Sequence, residues 1–91
     1  MSTLVVNDDY AVNLFDGFTF IVADGLSQDI TVTLPSIAPY DDQQIRLFNK
    51  DASFNMILVA HSGEDIVGGT ITLGHLEHRN LYSYSSEWYA V

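Results

Sequence analysis

The sequence predicts a small all-β protein, an antiparallel sandwich or barrel of about eight short strands. Apolar side chains recur with a period of two along most of the chain, and the apolar runs are rich in Val, Ile, Thr, Phe and Tyr. Turn-forming dipeptides separate these runs at roughly the 8 to 12 residue spacing that is typical of sandwiches and barrels. A length of 91 residues leaves room for one hydrophobic core, and therefore for one domain.

Four strands are predicted in the first half of the chain, over residues 10–15, 18–23, 30–34 and 45–49. In the third of these strands Thr31 and Thr33 alternate with larger apolar residues. Because successive side chains of a strand point to opposite faces, one face of this strand is predicted to be buried and the other to carry hydroxyl groups. Pro35 ends the strand, since proline cannot donate to a β-ladder.

Four more strands are predicted in the second half, over residues 56–59, 70–73, 81–84 and 88–91. Residues 56–59 are apolar on both faces, which predicts a central strand or one that is covered on both sides. Glycine tolerates positive φ where other residues are strained, so glycine dipeptides are expected at hairpins and turns. They are Asp16-Gly17, Asp24-Gly25, Ser62-Gly63 and Gly68-Gly69.

The remaining segments are predicted to lie outside the strands. Residues 36–42 form an exposed connection, and residues 74–79 form at most one loose turn. Residues 1–9 precede the first predicted strand and are interpreted as an N-terminal arm. The chain is thus divided into an arm over residues 1–9 and a single β domain over residues 10–91.

Composition excludes several classes of partner. The chain is 47% hydrophobic, which predicts a folded protein in spite of a net charge of −9. With only three basic residues against twelve acidic ones, we expect neither nucleic acid nor an anionic membrane surface as a partner. No window approaches the ~20 apolar residues that a membrane span requires. The chain has no cysteine, so its stability must come from packing or from oligomerisation.

The histidines and paired acids are the candidates for metal binding. His75 and His78 lie three residues apart, but that spacing puts two side chains on one face of a helix and on opposite faces of a strand, and no helix is predicted here. His61 lies upstream. Asp8-Asp9 and Asp41-Asp42 lack the spaced aspartates and turn glycine of a calcium loop. We therefore predict no metal or other cofactor, and expect surface or interface histidines and solvated acids.

No pattern of catalytic residues stands out. Ser62 and Ser85 do not follow the strand-to-helix turn that exposes a catalytic serine, and no glycine-rich phosphate loop ends in lysine. A groove for two catalytic carboxylates is hard to build on so small a domain. The sequence is interpreted as that of a protein that is not an enzyme.

Aromatic residues crowd the last ten positions of the chain. Tyr and Trp favour half-buried places where a ring packs and a polar tip reaches water, as at subunit interfaces and on sugar-binding platforms. We predict that they act as packing anchors in the core and at an oligomer interface, with an exposed sugar platform as the alternative. The N-terminal arm is predicted to strap onto a neighbouring copy. The interface residues predicted in this way are Tyr82, Tyr84, Trp88, Tyr89, Leu4, Val5 and Val6.

The order of these signals resembles a β module of tailed-bacteriophage virion proteins. The elements that carry the resemblance are Tyr10 with Val12, residues 16–22, the Ile-Thr-Val-Thr-Leu-Pro run 30–35, the Ile-x-x-x-Asn strand 45–49, the Asn-led strand 55–59, the glycine turn 63–69 and Trp88. The chain departs from that pattern where it lacks a glycine near residues 41–44. It departs again at Ser85-Ser86-Glu87, where an Asp-Gly turn commonly precedes the tryptophan.

The resemblance implies a homotrimer without catalytic chemistry, located in the virion and assembled in the host bacterial cytoplasm. Its partners would be the major capsid protein or another virion protein. Since the sequence contains no stalk, we expect capsid decoration, cementing or a head spike rather than a tail fibre. The alternative is a fibre or spike module that binds a host surface glycan. A third interpretation is a free-standing monomeric β domain of a host protein.

Overall fold

The computed structural model of the chain describes residues 2–12, 18–37 and 43–90. These residues form strands and irregular connections, and no helix lies among them. In sequence order the strands are β1 Ser2–Val6, β2 Tyr10–Ala11, β3 Phe18–Ala23, β4 Ile30–Thr33, β5 Gln44–Asn49, β6 Met56–Val59, β7 Asp65–Ile66, β8 Ile71–Leu73, β9 His78–Tyr84 and β10 Glu87–Ala90. The part of the chain that the structure describes thus contains no helix able to span a membrane.

The strands form two sheets, which fits a sandwich. One sheet has six strands in the order β1-β3-β5-β9-β10-β7, and the other has four in the order β2-β4-β6-β8. The chain alternates between the sheets from β1 to β9, and only the hairpin from β9 to β10 stays within one sheet. The predicted all-β class is therefore confirmed.

The sheets are mixed, so the prediction of an antiparallel architecture was wrong. Strands β1, β3 and β5 run parallel to one another, as do β2, β4 and β6. The first six strands thus wind as three coils, each of which gives one strand to each sheet. Antiparallel pairing joins β5 to β9, β6 to β8 and β9 to β10. A strand buried on one face alternates in the same way whether its neighbour is parallel or antiparallel, which explains the error.

The core contains inward side chains of both sheets. Its buried apolar residues are Val6, Val12, Ile21, Ala23, Leu26, Ile30, Val32, Leu34, Ile37, Ile45, Leu47, Met56, Leu58, Ile66, Leu73, Leu81 and Trp88. Strand β6 lies between β4 and β8, as its apolar sequence predicted for a central strand. Its alternate side chains Ile57 and Val59 are half-buried on the outside of the four-stranded sheet.

Aspartates join successive coils at the end of the four-stranded sheet where its parallel strands begin. Asp9 precedes β2 and accepts a hydrogen bond from the backbone N–H of Thr31 at 2.8 Å. Asp29 precedes β4 and accepts one from the N–H of Asn55 at 2.8 Å. Each carboxylate accepts a hydrogen bond from a backbone N–H of the next coil. Two of the chain's acidic residues thus stabilise the stacking of the coils.

The structure differs from the predicted layout at three places. Residues 2–6, which we expected in an arm, form edge strand β1, which pairs with β3. The short strand β7 has too few residues to show a period of two and was not predicted. Residues 78 and 79, which we expected in a loose turn, belong to strand β9. Asp24-Gly25 lies in the connection from β3 to β4, where Gly25 has the positive φ of 69° expected of a turn glycine. Asp16-Gly17 and the predicted strand residues 13–15 lie outside the described residues, as do residues 38–42 of the predicted connection.

Candidate packing surface on the six-stranded sheet

The outward side of the six-stranded sheet carries four of the five large apolar side chains that are exposed among the described residues, namely Val5, Val67, Tyr82 and Tyr84. We call it the outer face and define it by the residues whose positions alternate with the buried ones. These residues are Thr3, Val5, Phe20, Val22, Gln44, Arg46, Phe48, His78, Asn80, Tyr82, Tyr84, Glu87, Tyr89, Asp65 and Val67.

Register places apolar side chains of neighbouring strands side by side on this face. Val5 of β1 pairs with Val22 of β3, which pairs with Phe48 of β5. The next strand contributes His78, whose ring stacks on that of Phe48 with 6.2 Å between centroids and 19° between planes. Val5 remains 61% exposed, so this apolar row ends in solvent at the β1 edge.

A second group of aromatic side chains lies where β9 pairs with β10. Tyr82 pairs with Tyr89, and the Tyr84 and Tyr89 rings lie 6.5 Å apart and tilted by 51°. Tyr82 is 40% exposed and Tyr84 is 64% exposed. Exposed rings at this density are unusual on a monomer's surface and typical of interfaces.

The phenol of Tyr89 is held in a partly buried and acidic setting. Its hydroxyl donates to a carboxylate oxygen of Glu87 at 3.4 Å. Burial raises the pKa of Tyr89, and the negative charge and hydrogen bond of Glu87 raise it further. The ring is thus fixed in its neutral form over the physiological range, with one edge anchored to Glu87.

Few charges interrupt the outer face. Arg46 is exposed on the inner strand β5, while Glu87 of β10 and Asp65 of edge strand β7 lie on the far side of β9. The other described acids lie in the connections between strands, namely Asp8, Asp9, Asp24, Asp29, Asp51, Glu64 and Glu77. The sandwich therefore keeps most of its negative charge away from this face.

The predicted interface residues fall into two groups. Tyr82, Tyr84, Tyr89 and Val5 point outward on the outer face. The structure places Trp88 in the core, where it is fully buried, because it pairs with buried Ser83 across the hairpin.

The N-terminal residues divide in the same way along β1. Val6 is also buried, and Leu4 is half-buried against the core. Val6 and Trp88 therefore belong to the core of the single chain, while Leu4 lies at its margin.

The outside of the four-stranded sheet differs from the outer face in its residue types. Its outward strand positions carry small or β-branched residues and no charge or aromatic ring, namely Ala11, Thr31, Thr33, Ile57, Val59 and Thr72. It offers a flat, uncharged surface without the aromatic anchors that dominate protein interfaces.

The candidate metal ligands do not converge among the described residues. His61, His75 and His78 are all exposed, and no group of three or more His, Asp or Glu side chains could hold a metal ion within residues 2–12, 18–37 and 43–90. The Asp8 carboxylate accepts from the N–H of Asp9 at 2.8 Å. Asp41-Asp42 lies outside the described residues.

A polar corner that the sequence did not single out joins β5 to β6. Asn49 is fully buried, and its amide donates to the carbonyls of Phe54 at 2.9 Å and Leu73 at 2.8 Å. Its oxygen accepts from the N–H of Asp51 at 2.9 Å. Asn49 ends the Ile-x-x-x-Asn run 45–49, and its position at the end of a strand is the signal that could have identified it.

Asp51 organises the same corner through backbone hydrogen bonds. Its carboxylate accepts from the N–H groups of Ser53, Phe54 and Leu26 at 2.9, 2.8 and 3.0 Å. The bonds from Ser53 and Phe54 lower the pKa of Asp51 most strongly, with smaller contributions from Leu26 and from His75. The polar side-chain atoms of Asn49 and Asp51 bond to backbone groups of the same chain. The corner therefore fixes the backbone between β5 and β6.

Comparisons with known proteins give no relative from which a family could be assigned. The scan against family models, the search of curated proteins and the search of solved structures all return no match.

Proposed function

We propose that this chain is a structural protein of a bacteriophage virion that assembles as a homotrimer and decorates or cements the capsid. It acts by packing and carries out no catalysis. Its partners are sister copies and the major capsid protein or another virion protein. The virion assignment is supported by the order of sequence elements, and the packing role by the outer face of the six-stranded sheet.

The observation that carries the packing role is the contrast between the outer face and the rest of the surface. A chain with a net charge of −9 leaves Val5, Tyr82 and Tyr84 exposed on one sheet, while most of its acids lie elsewhere. Burial of apolar area is worth roughly 25 cal/mol per Å² before the costs of association are subtracted. Such a surface gains free energy when a partner covers it.

Two measurements test this proposal. Light scattering after size-exclusion chromatography is expected to give a particle of about three times the 10.1 kDa chain mass. In a density gradient of a phage lysate the chain is expected to sediment with capsids. A 10 kDa particle that stays at the top of the gradient would contradict both the assembly and the virion role.

The second candidate function is a receptor-binding module for a host surface glycan. Tyr84 and Tyr89 form a tilted pair of rings with Glu87 beside them, and sugar rings pack on aromatic faces while acids bind their hydroxyl groups. Titration calorimetry with host surface polysaccharide tests it. Heat that is lost in a Tyr84→Ala variant and kept in Thr72→Ala, on the other sheet, would favour this function over the structural one.

A further inference from the structure

The charges of the outer face lie at opposite sides of its aromatic centre. Arg46 lies on β5, two residues from Gln44, which pairs with Tyr82. Glu87 lies on β10, two residues from Tyr89, which pairs with the same Tyr82 from the other side. Tyr82 is therefore midway between a cation and an anion on one continuous sheet.

Arg46 and Glu87 are too far apart to pair within one chain. Two strand spacings of about 4.8 Å and four residues of about 3.4 Å separate them, which amounts to roughly 17 Å. In the part of the chain that the structure describes, Lys50 pairs with Asp24 at 3.6 Å and the Arg79 guanidinium donates to the carbonyl of His78. Arg46 forms no salt bridge to any described residue.

A second copy of this chain is the occupant that fits this arrangement. One side of the face presents Arg46 and the other presents Glu87 and Asp65, so the face is complementary to itself once a neighbour is rotated. Six strands with a mean length of five residues give a flat area of roughly 500 Å², which is smaller than the ~800 Å² that one partner contributes to a stable interface. Pairing of opposite charges then fixes the relative orientation of two copies whose apolar contact is of modest size.

We propose that Arg46 of one copy pairs with Glu87 of the next copy around a threefold axis, with the Tyr82 side chains packed towards that axis. The inference rests on the proposed self-assembly and specifies its contacts. Each copy uses its β5 side against one neighbour and its β10 side against the other, so all three interfaces are equivalent. Asp65, next to Glu87 in the register, adds a second acid to the side that receives Arg46.

Charge exchange tests the pairing. Arg46→Glu and Glu87→Arg are each expected to weaken association by on the order of tenfold or more, because each places like charges in every interface. The double variant Arg46→Glu/Glu87→Arg is expected to recover wild-type association. Thr72→Glu, an exposed change on the other sheet, is the control and is expected to leave association unchanged. Sedimentation velocity measures the association, and urea unfolding checks that each variant is folded.

A mixture of the two single variants tests the symmetry. In a ring of three copies, at least one contact between like variants must remain, so an equimolar mixture is expected to stay weaker than the double variant. In a twofold dimer every contact pairs opposite charges and the mixture would recover fully. Full recovery would therefore overturn the threefold arrangement.

Disulfide trapping provides a readout that does not depend on charge. The chain has no cysteine, so Arg46→Cys/Glu87→Cys supplies the reactive thiols, which are too distant to bridge within one copy. Mild oxidation is expected to give a covalent ladder that stops at three chains, whereas Arg46→Cys/Thr72→Cys is expected to give no trimer.

A wild-type monomer at all concentrations would overturn the self-assembly itself. A wild-type trimer that ignores both the charge exchange and the thiols would overturn this inference alone.

Discussion

Trp88 is the largest side chain of the core, and its burial indicates that it stabilises the fold of the single chain. The indole is fully enclosed, and its N–H has no hydrogen-bond partner among the described residues. We expect Trp88→Ala to lower the free energy of unfolding by about 3 to 5 kcal/mol, because the lost contacts leave a cavity. Trp88→Phe should cost about half as much, since it removes less volume and breaks no described hydrogen bond. Urea unfolding measures both, and an unchanged midpoint in Trp88→Ala would contradict the core assignment.

Asn49 contributes through hydrogen bonds that no apolar residue replaces. Its amide bonds two backbone carbonyls and its oxygen bonds one N–H, all at the corner after β5. Asn49→Leu is expected to cost about 2 to 4 kcal/mol, because it strands these buried backbone groups without partners. Asn80→Leu, on the outer face, is the matched control and should cost much less. Equal losses in the two variants, measured by urea unfolding, would argue against this role.

Asp51 makes part of the stability depend on pH. Its backbone hydrogen bonds lower its pKa from the ordinary value of 3.8, so its contribution is present above that value and is lost as pH falls through the lowered pKa. Asp51→Asn should therefore be less stable than wild type at neutral pH, and the difference should shrink as pH falls from about 7 to about 2. Urea unfolding across this range measures the difference, and a gap independent of pH would refute the assignment.

At the scale of elements, the β9–β10 hairpin carries a strain that substitution can relieve. Ser85 and Ser86 have φ of 52° and 65°, in the left-handed region that favours glycine and asparagine. Two-residue hairpins with positive φ at both positions prefer Asn-Gly. Ser85→Asn/Ser86→Gly is therefore expected to stabilise the fold by about 1 kcal/mol. In thermal unfolding, Ser53→Gly should bring no gain, and a similar rise in that control would contradict the explanation.

The strands themselves were largely predictable, and their partners were not. Alternation identified β4, β5 and residues 81–84 of β9, because each has one buried face, and the apolar run 56–59 identified β6. It could not distinguish a return to the same sheet from a crossover to the other one, because the local pattern is the same in both cases. Parallel pairing arises because each connection crosses to the other sheet. The polar sequences of the connections do not indicate which sheet the next strand joins.

At the scale of the whole molecule, the sequence predicted the aromatic part of the candidate surface but not its apolar row. The density of aromatics near the end of the chain marked Tyr82, Tyr84 and Tyr89, and all three point outward. Trp88 was grouped with them because the two-residue hairpin was not recognised. That hairpin pairs Trp88 with Ser83 and so turns it to the buried face. The apolar row led by Val5 was missed as a surface because it is assembled from four strands that are distant in sequence.

The central claim is that the outer face of the six-stranded sheet binds sister copies. Sedimentation equilibrium of wild type, Tyr84→Glu and Thr72→Glu tests it most directly, since both substitutions add one charge at an exposed strand position, on opposite sheets. The account predicts a particle of about three chain masses for wild type and Thr72→Glu, and a shift towards the 10.1 kDa monomer for Tyr84→Glu. A wild-type monomer, or an assembly that Thr72→Glu disrupts and Tyr84→Glu does not, would contradict it.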